Sequence, residues 1–195
     1  MVKPRHVHWI AAKHVLRYLK GTIGYGLRYV SDRKMELLEN TDSHWVGSAV
    51  DRKSTSGCCF SLGSGMIFWY YRKQTSVALN TTKAHYIAPC GASKEAVWLR
   101  KMLAGLFDQE LDVTFIHCDN QNCIKLSKNP VDHDWSKHID MKYHYIRDIV
   151  QKGAMKLHYI SIDEKTTNIL TKPLSKVKFE YFRDKLGVVE NVSPR

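Results

Sequence analysis

Residues 115–121 read Phe115-Ile116-His117-Cys118-Asp119-Asn120-Gln121. The apolar run that leads into them, Val113 to Cys118, has the length and composition of a buried strand. Asp119 ends it, and the polar residues that follow open a short helix from about Asn120 to Ser127. An acid at the C-terminal end of a buried strand, ahead of a helix, stands where α/β sheets place their ligands. Taken alone, Asp119 or Asn120 is better read as an ordinary helix cap.

Working outward, the upstream sequence supplies strands and helices in a definite order. Residues 4–20 predict a helix with Pro4 in its first turn, an apolar stripe of Val7, Ile10, Ala11, Val15, Tyr18 and Leu19, and Gly21 at its end. Gly26–Val30 and Met35–Asp42 read as strands around the polar turn Ser31–Lys34, and Thr55–Leu62 and Met66–Tyr71 as a hairpin around Gly63-Ser64-Gly65. Together these predict an antiparallel meander. A long helix follows from about Thr81 to Leu106, with Ala84, Ile87, Ala88, Ala92, Ala96, Leu99 and Leu103 on one face. Pro89 lies inside it, and an interior proline costs about 3 kcal/mol, so a kink or break is expected there. Downstream, Lys137–Lys152 reads as a helix ended by Gly153, Leu157–Ile162 as a strand, and Thr166–Leu186 as one or two short helices. A mixed sheet with helices on its faces accommodates this order.

The 195 residues suffice for one domain with a sizeable core, and 44% hydrophobic with 25% charged residues describes a globular chain. No apolar run reaches membrane-spanning length, and the opening MVKPRHVHWI lacks the apolar core of a secretory signal. The expected location is therefore intracellular, cytoplasmic or nuclear. The five cysteines, Cys58, Cys59, Cys90, Cys118 and Cys123, fit no zinc spacing and read as reduced, buried residues. Trp45, Trp69 and Trp98 read as core. The formal charge of +11 points to a polyanionic partner, and its scattered distribution favours nucleic acid over a membrane surface.

A second acid, Asp42 in Asn40-Thr41-Asp42-Ser43-His44-Trp45, lies near the end of the first long strand. With Asp119 it brings out a resemblance that runs through nearly the whole chain. The carrying segments are Leu16–Thr22 (LRYLKGT), Asp51–Gly57 (DRKSTSG), Cys118–Gln121 (CDNQ), Lys137–Asp140 (KHID), Tyr143–Arg147 (YHYIR) and Leu170–Leu174 (LTKPL). In these the chain resembles the RNase H domain of copia-type long-terminal-repeat retrotransposon Pol polyproteins. The resemblance implies an α/β, RNase H-like fold: a five-stranded mixed sheet of order 3-2-1-4-5, its first three strands antiparallel, flanked by helices, with Asp42 and Asp119 on adjacent central strands. It divides the chain into a connector helix and first strand from the reverse-transcriptase side (1–30), the RNase H-like domain (31–190) and a tail (191–195).

The activity so implied is hydrolysis of the RNA strand of RNA–DNA hybrids by two divalent ions about 4 Å apart, held by four acids. Carried over residue by residue, the quartet is mixed. Asp42 and Asp119 are retained as catalytic and metal-binding acids. The helix Glu falls on Lys83 in Thr81-Thr82-Lys83-Ala84-His85-Tyr86, and the last Asp falls on Asn168 in Thr167-Asn168-Ile169-Leu170-Thr171-Lys172. The quartet charge drops from −4 to −1, which leaves too little to offset the repulsion between two Mg²⁺ or Mn²⁺ ions, so weak or partial occupancy is expected. Lys83 in the first helical turn also opposes the helix dipole. Glu95 lies too far along its helix to substitute, whereas Asp163 and Glu164 would approach only if the last loop shifted; Asp140 and Asp148 belong to another helix. His44 and His85 stand near the right place, yet imidazole is a poor Mg²⁺ ligand.

Phosphate contacts are expected from Arg52, Lys53, Ser54 and Thr55 in a turn, from Lys73 and Gln74 before the long helix, from Lys137 and His138 at a helix start, and from Lys172. The family's usual Arg is replaced by Trp135, which is able to stack on a sugar or base. The expected partners are an RNA–DNA hybrid, with double-stranded RNA as a second ligand, and the reverse-transcriptase portion of the same polyprotein. Three functions compete: a hybrid-binding domain with impaired hydrolysis, which is favoured, an active hybrid ribonuclease using substitute ligands, and a non-catalytic protein-interaction module.

Overall fold

The computed structural model describes residues 3–31, 33–44, 52–78, 81–128 and 137–190. Trp45, Asp51, Asn80, Asn129, Pro130 and Trp135 lie outside them, as do the side chains of His44, Lys83, Lys137, His138 and Asp140. The elements run α1 (His6–Gly21), β1 (Tyr25–Leu27), β2 (Leu37–His44), β3 (Thr55–Leu62), β4 (Gly65–Lys73), α2 (Thr81–Phe107), β5 (Thr114–Cys118), α3 (Gln121–Lys128), α4 (Lys137–Gln151), β6 (Met155–Tyr159), α5 (Asn168–Thr171), α6 (Lys176–Lys185) and β7 (Val188–Glu190).

The main sheet has the order β4-β3-β2-β5-β6. This is the expected 3-2-1-4-5 when β2 is counted first. The β2–β3 and β3–β4 pairs are antiparallel, and β2–β5 and β5–β6 are parallel. The β3–β4 hairpin turns at Gly63, whose φ of +60° suits a residue without Cβ. Alternation sorts the strands onto two faces. Leu37, Cys58 and Phe60 pack with Tyr86, Ala92, Ala96, Leu99 and Leu103 of α2 in the main core. On the other face Cys59 packs with Met66 and Leu186, against Ile169 and Leu170 of α5. Alanines at positions 84, 88, 92 and 96 keep the α2 face thin where it crosses the sheet, and all four are buried.

Several expectations are corrected. The helix α1 begins after Pro4, and its stripe of Val7, Ile10, Val15, Tyr18 and Leu19 is exposed rather than buried. The strand expected at Gly26–Val30 is the shorter β1, which leaves the expected meander to pair with β7 in a separate two-stranded sheet. Trp69 and Trp98 are 54% and 52% exposed and so are not core. The helix α2 runs unbroken through Pro89. Proline lacks the N–H that residue 89 would donate to the His85 carbonyl, and the Cys123 thiol lies 3.6 Å from that carbonyl and donates to it. A neighbouring element thus satisfies the group that Pro89 leaves orphaned. All five cysteines are reduced and buried, as expected.

Glu39 sits on the α2 side of β2, fully buried, with the Cys58 thiol donating to it at 3.5 Å. Burial pushes its carboxyl well above the ordinary range. The folded state therefore holds a proton the unfolded chain would release, and stability present at acid pH is lost as pH rises through the folded-state value. Glu39→Gln is expected to raise Tm at pH 7, with the gain shrinking toward pH 4, as read by thermal unfolding at both pH values.

Candidate active site

The parallel neighbours β2 and β5 end side by side, and each carries an acid at its C-terminal end. Asp42 follows from the register that pairs Leu38 with Phe115 and Asn40 with His117, and Asp119 follows Cys118, the last residue of β5. Asn120 takes the capping role for α3, its Oδ1 accepting from Cys123 N at 3.0 Å. Asp119 is thereby left to face the site.

Between the two carboxylates stands Lys165, a residue the sequence reading passed over. Its side chain is 0% exposed, and its Nζ lies 2.6 Å from Asp42 Oδ1 and 2.7 Å from Asp119 Oδ1. The approach to Asp42 is a hydrogen bond. The approach to Asp119 is an ion pair in which Oδ1 accepts no well-angled hydrogen bond. Asp42 is held further by Thr171 Oγ1, which donates to Oδ2 at 2.6 Å, and by Ser43 N, which donates to Oδ1 at 2.8 Å. Thr171 comes this close because Gly57, opposite Asp42 in the β2–β3 pair, has no side chain: a Cβ there would lie 2.6 Å from Thr171 Cγ2.

His85 on α2 places Nδ1 3.4 Å from Asp119 Oδ1. Burial alone would raise both acids. For Asp42 the Lys165 charge and the Lys165 and Thr171 hydrogen bonds outweigh it, and its carboxyl is held below the ordinary value. For Asp119, His85 and Lys165 outweigh burial more strongly, and the carboxyl is held well below. Both acids are therefore ionised at neutral pH, and the stability their pairing supplies is present above their unfolded values and lost as pH falls through the folded ones.

Asn168, which the resemblance sets at the last acid position, opens α5 and is buried. Its Nδ2 donates to Ile162 O at 2.7 Å, and its Oδ1 is buried without a hydrogen-bond partner among the described residues. Lys83 lies in the first turn of α2. The candidate substitute acids do not enter the site. Asp163 pairs with Lys178 at 2.6 Å, Glu164 approaches Lys185 at 3.9 Å, Glu95 pairs with Arg72 at 2.9 Å, and Asp148 pairs with Lys152 at 2.7 Å.

Asp42, His85 and Asp119 bring one donor atom each within 4.8 Å of one another, a grouping of the size that one metal ion needs. A pair of Mg²⁺ ions does not fit this set. Mg²⁺ takes octahedral oxygen ligands and retains several waters, whereas Lys165 Nζ, itself a cation, lies within hydrogen-bond distance of both carboxylates.

Of the expected phosphate-contact residues, Arg52 is exposed at a φ of +53°, Lys73 is exposed, and Lys53 and Lys172 are half-buried. Ser54, Thr55 and Gln74 are buried, so their side chains do not form an outer phosphate-contacting surface. Gln74 Nε2 instead reaches Ser56 Oγ at 2.9 Å, Ala84 O at 3.0 Å and Ser43 Oγ at 3.3 Å, tying β4 to β2, β3 and α2.

The Thr171 hydroxyl is a direct test of how firmly Asp42 is held. Thr171→Val removes a hydrogen bond to a buried charge, a loss of about 1.5–3 kcal/mol. The expected outcome is a Tm lower by roughly 5 °C at pH 7, with acid unfolding beginning at higher pH, checked by thermal scans and an acid titration followed by circular dichroism.

No protein-family model matches the chain. It is 37% identical over 190 residues, 97% of its length, to the Retrovirus-related Pol polyprotein from transposon RE2 of Arabidopsis thaliana. It is 38% identical over 190 residues, 96% of its length, to that from transposon TNT 1-94 of Nicotiana tabacum. The chain spans 13% and 14% of the length of these relatives. Its fold is similar to that of the N-terminal RNase H domain of a Mycobacterium tuberculosis protein, with a TM-score of 0.51 and 10% identity, covering 77% of this chain and 98% of that one. The chain belongs to the family of the retrovirus-related Pol polyproteins of transposons and has the RNase H-like fold.

Proposed function

We propose that this domain, of copia type, recognises RNA–DNA hybrid and has lost efficient two-metal hydrolysis of the RNA strand. The observation that supports the reading is the meeting of Asp42 and Asp119 at the ends of β2 and β5, and the resemblance assigns Asn168 and Lys83 to the two remaining acid positions. The scaffold that aligns an RNase H acid site is intact while the charge that would hold two ions is not. The formal charge of +11 supports a polyanionic ligand, and exposed Arg52 and Lys73, with Lys53 and Lys172, supply side chains for phosphate. Lys137 and His138, in the first turn of α4, are proposed as further phosphate contacts. Residual binding of Mg²⁺ or Mn²⁺ would draw on Asp42 and Asp119.

We assign residues 1–30 as the connector toward the reverse-transcriptase portion and 31–190 as the domain proper. The exposed apolar stripe of α1 supports this, since its residues pack on nothing within the described chain that buries them. No helix among the described residues is long and apolar enough to cross a membrane.

Fluorescence anisotropy with a labelled hybrid and a gel-based cleavage assay in Mg²⁺ and in Mn²⁺ test this function. Affinity is expected to fall at least about tenfold between low and physiological salt, as release of two or more counterions requires, with little or no cleavage. Robust cutting that disappears in Asp119→Ala would instead establish an active ribonuclease. Undetectable or salt-insensitive binding would favour a protein-interaction module.

A further inference from the structure

Among the described residues Lys165 is the one buried lysine or arginine in the site, and the four-acid reading gives it no part. A lysine in a loop ordinarily keeps its ammonium in water, because burying a charge is costly unless it is paired. Here the entire side chain is buried, 123 residues in sequence from its partner Asp42. The surrounding turn is built to hold it there. Asn168 N donates to Lys165 O at 3.1 Å, and Asn168 Nδ2 donates to Ile162 O at 2.7 Å. The neighbouring Thr166 hydroxyl lies 3.6 Å from Cys59 Sγ on β3. Asn168 therefore uses its amide to brace the loop that delivers Lys165.

Two carboxylates brought together out of water repel unless a cation lies between them. In a metal-dependent site that cation is the metal. Here an ammonium at 2.6 Å and 2.7 Å from the two acids already has that place. We propose that Lys165 is a built-in counter-cation that stands where a divalent ion would lie between Asp42 and Asp119, excludes metal, and keeps the acid pair folded without it. The inference rests on the reading of Asp42 and Asp119 as an RNase H-type acid site, and it makes the site metal-independent rather than merely short of ligands.

The test uses the full 195-residue chain and Mn²⁺ as the probe. For the wild type, electron paramagnetic resonance is expected to show no Asp119-dependent Mn²⁺ site at millimolar ion, and Tm to be the same with chelator or with Mn²⁺. Lys165→Met leaves the two carboxylates uncompensated. Its Tm in chelator is expected to fall by about 10 °C and to recover with Mn²⁺, one equivalent of which binds at Asp42, His85 and Asp119. Should that variant not fold, the double variant Lys165→Met with Asp119→Asn removes the repulsion, and it is expected to fold without metal and to bind no Mn²⁺.

Tight Mn²⁺ binding by the wild type that vanishes in Asp119→Asn would overturn the inference. So would a Lys165→Met protein with wild-type Tm in chelator, or a double variant that fails to fold. Hybrid anisotropy on the wild type in chelator separates this from the function itself. Loss of hybrid binding with Mn²⁺ still excluded refutes the proposed function and leaves the counter-cation standing, and hybrid binding together with Asp119-dependent Mn²⁺ does the reverse.

Discussion

The Asp42–Lys165–Asp119 contact is the interaction on which the arrangement of the sheet's C-terminal edge depends. It joins β2, the end of β5 and the loop before α5, segments far apart in sequence that no local propensity would bring together. Breaking a buried ion pair by removing one partner typically costs about 3–5 kcal/mol, because the remaining charge is stranded. The three groups therefore stand or fall together, and the surrounding structure is shaped to suit them. Gly57 gives up its side chain so that Thr171 can reach Asp42, and Asn120 takes over the capping of α3 so that Asp119 need not.

Strand β2 shows two different answers to the burial of an acid. Asp42 on one face remains charged, because an ammonium and a hydroxyl lie against it. Glu39 on the other face meets only a thiol, and burial pushes its carboxyl toward the neutral form. The difference is one of partners, not of depth, since both side chains are buried. A similar economy of partners explains why α2 tolerates Pro89: the carbonyl that proline cannot satisfy finds the Cys123 thiol on α3. That contact belongs to His85, whose ring stands beside Asp119, so the proline lies within one turn of the site.

Much of the fold was legible because period and punctuation act locally. Alternation and the Gly63–Gly65 turn placed β3 and β4, the alanine face placed α2, and the run into Asp119 placed β5. The resemblance supplied the strand order, which the observed register matches. The apolar stripe of α1 is legible in the sequence but its exposure is not, because a hydrophobic period says that a face is apolar but not whether anything covers it. Trp69 on β4 and Trp98 on α2 misled in the same way, since size and apolarity do not report whether anything covers a side chain. Ser54, Thr55 and Gln74 looked like phosphate contacts because polar residues between elements usually face water, and here all three are buried, with Gln74 bonded to the Ala84 carbonyl of α2.

The sequence by itself determined the element order and the basic charge, which are properties of residue type and spacing, and its resemblance to the family singled out Asp42, Asp119, Lys83 and Asn168. Only the tertiary structure decided what stands between the acids. Lys165 in Asp163-Glu164-Lys165-Thr166 reads as one more solvated loop lysine, with no period or motif to distinguish it. Its neighbours in sequence, Asp163 and Glu164, do turn to solvent and pair with Lys178 and Lys185. Lys165 alone turns inward, because the carboxylates that hold it come from strands brought together only when the sheet closes, and an ion pair of that range leaves no trace in the local sequence.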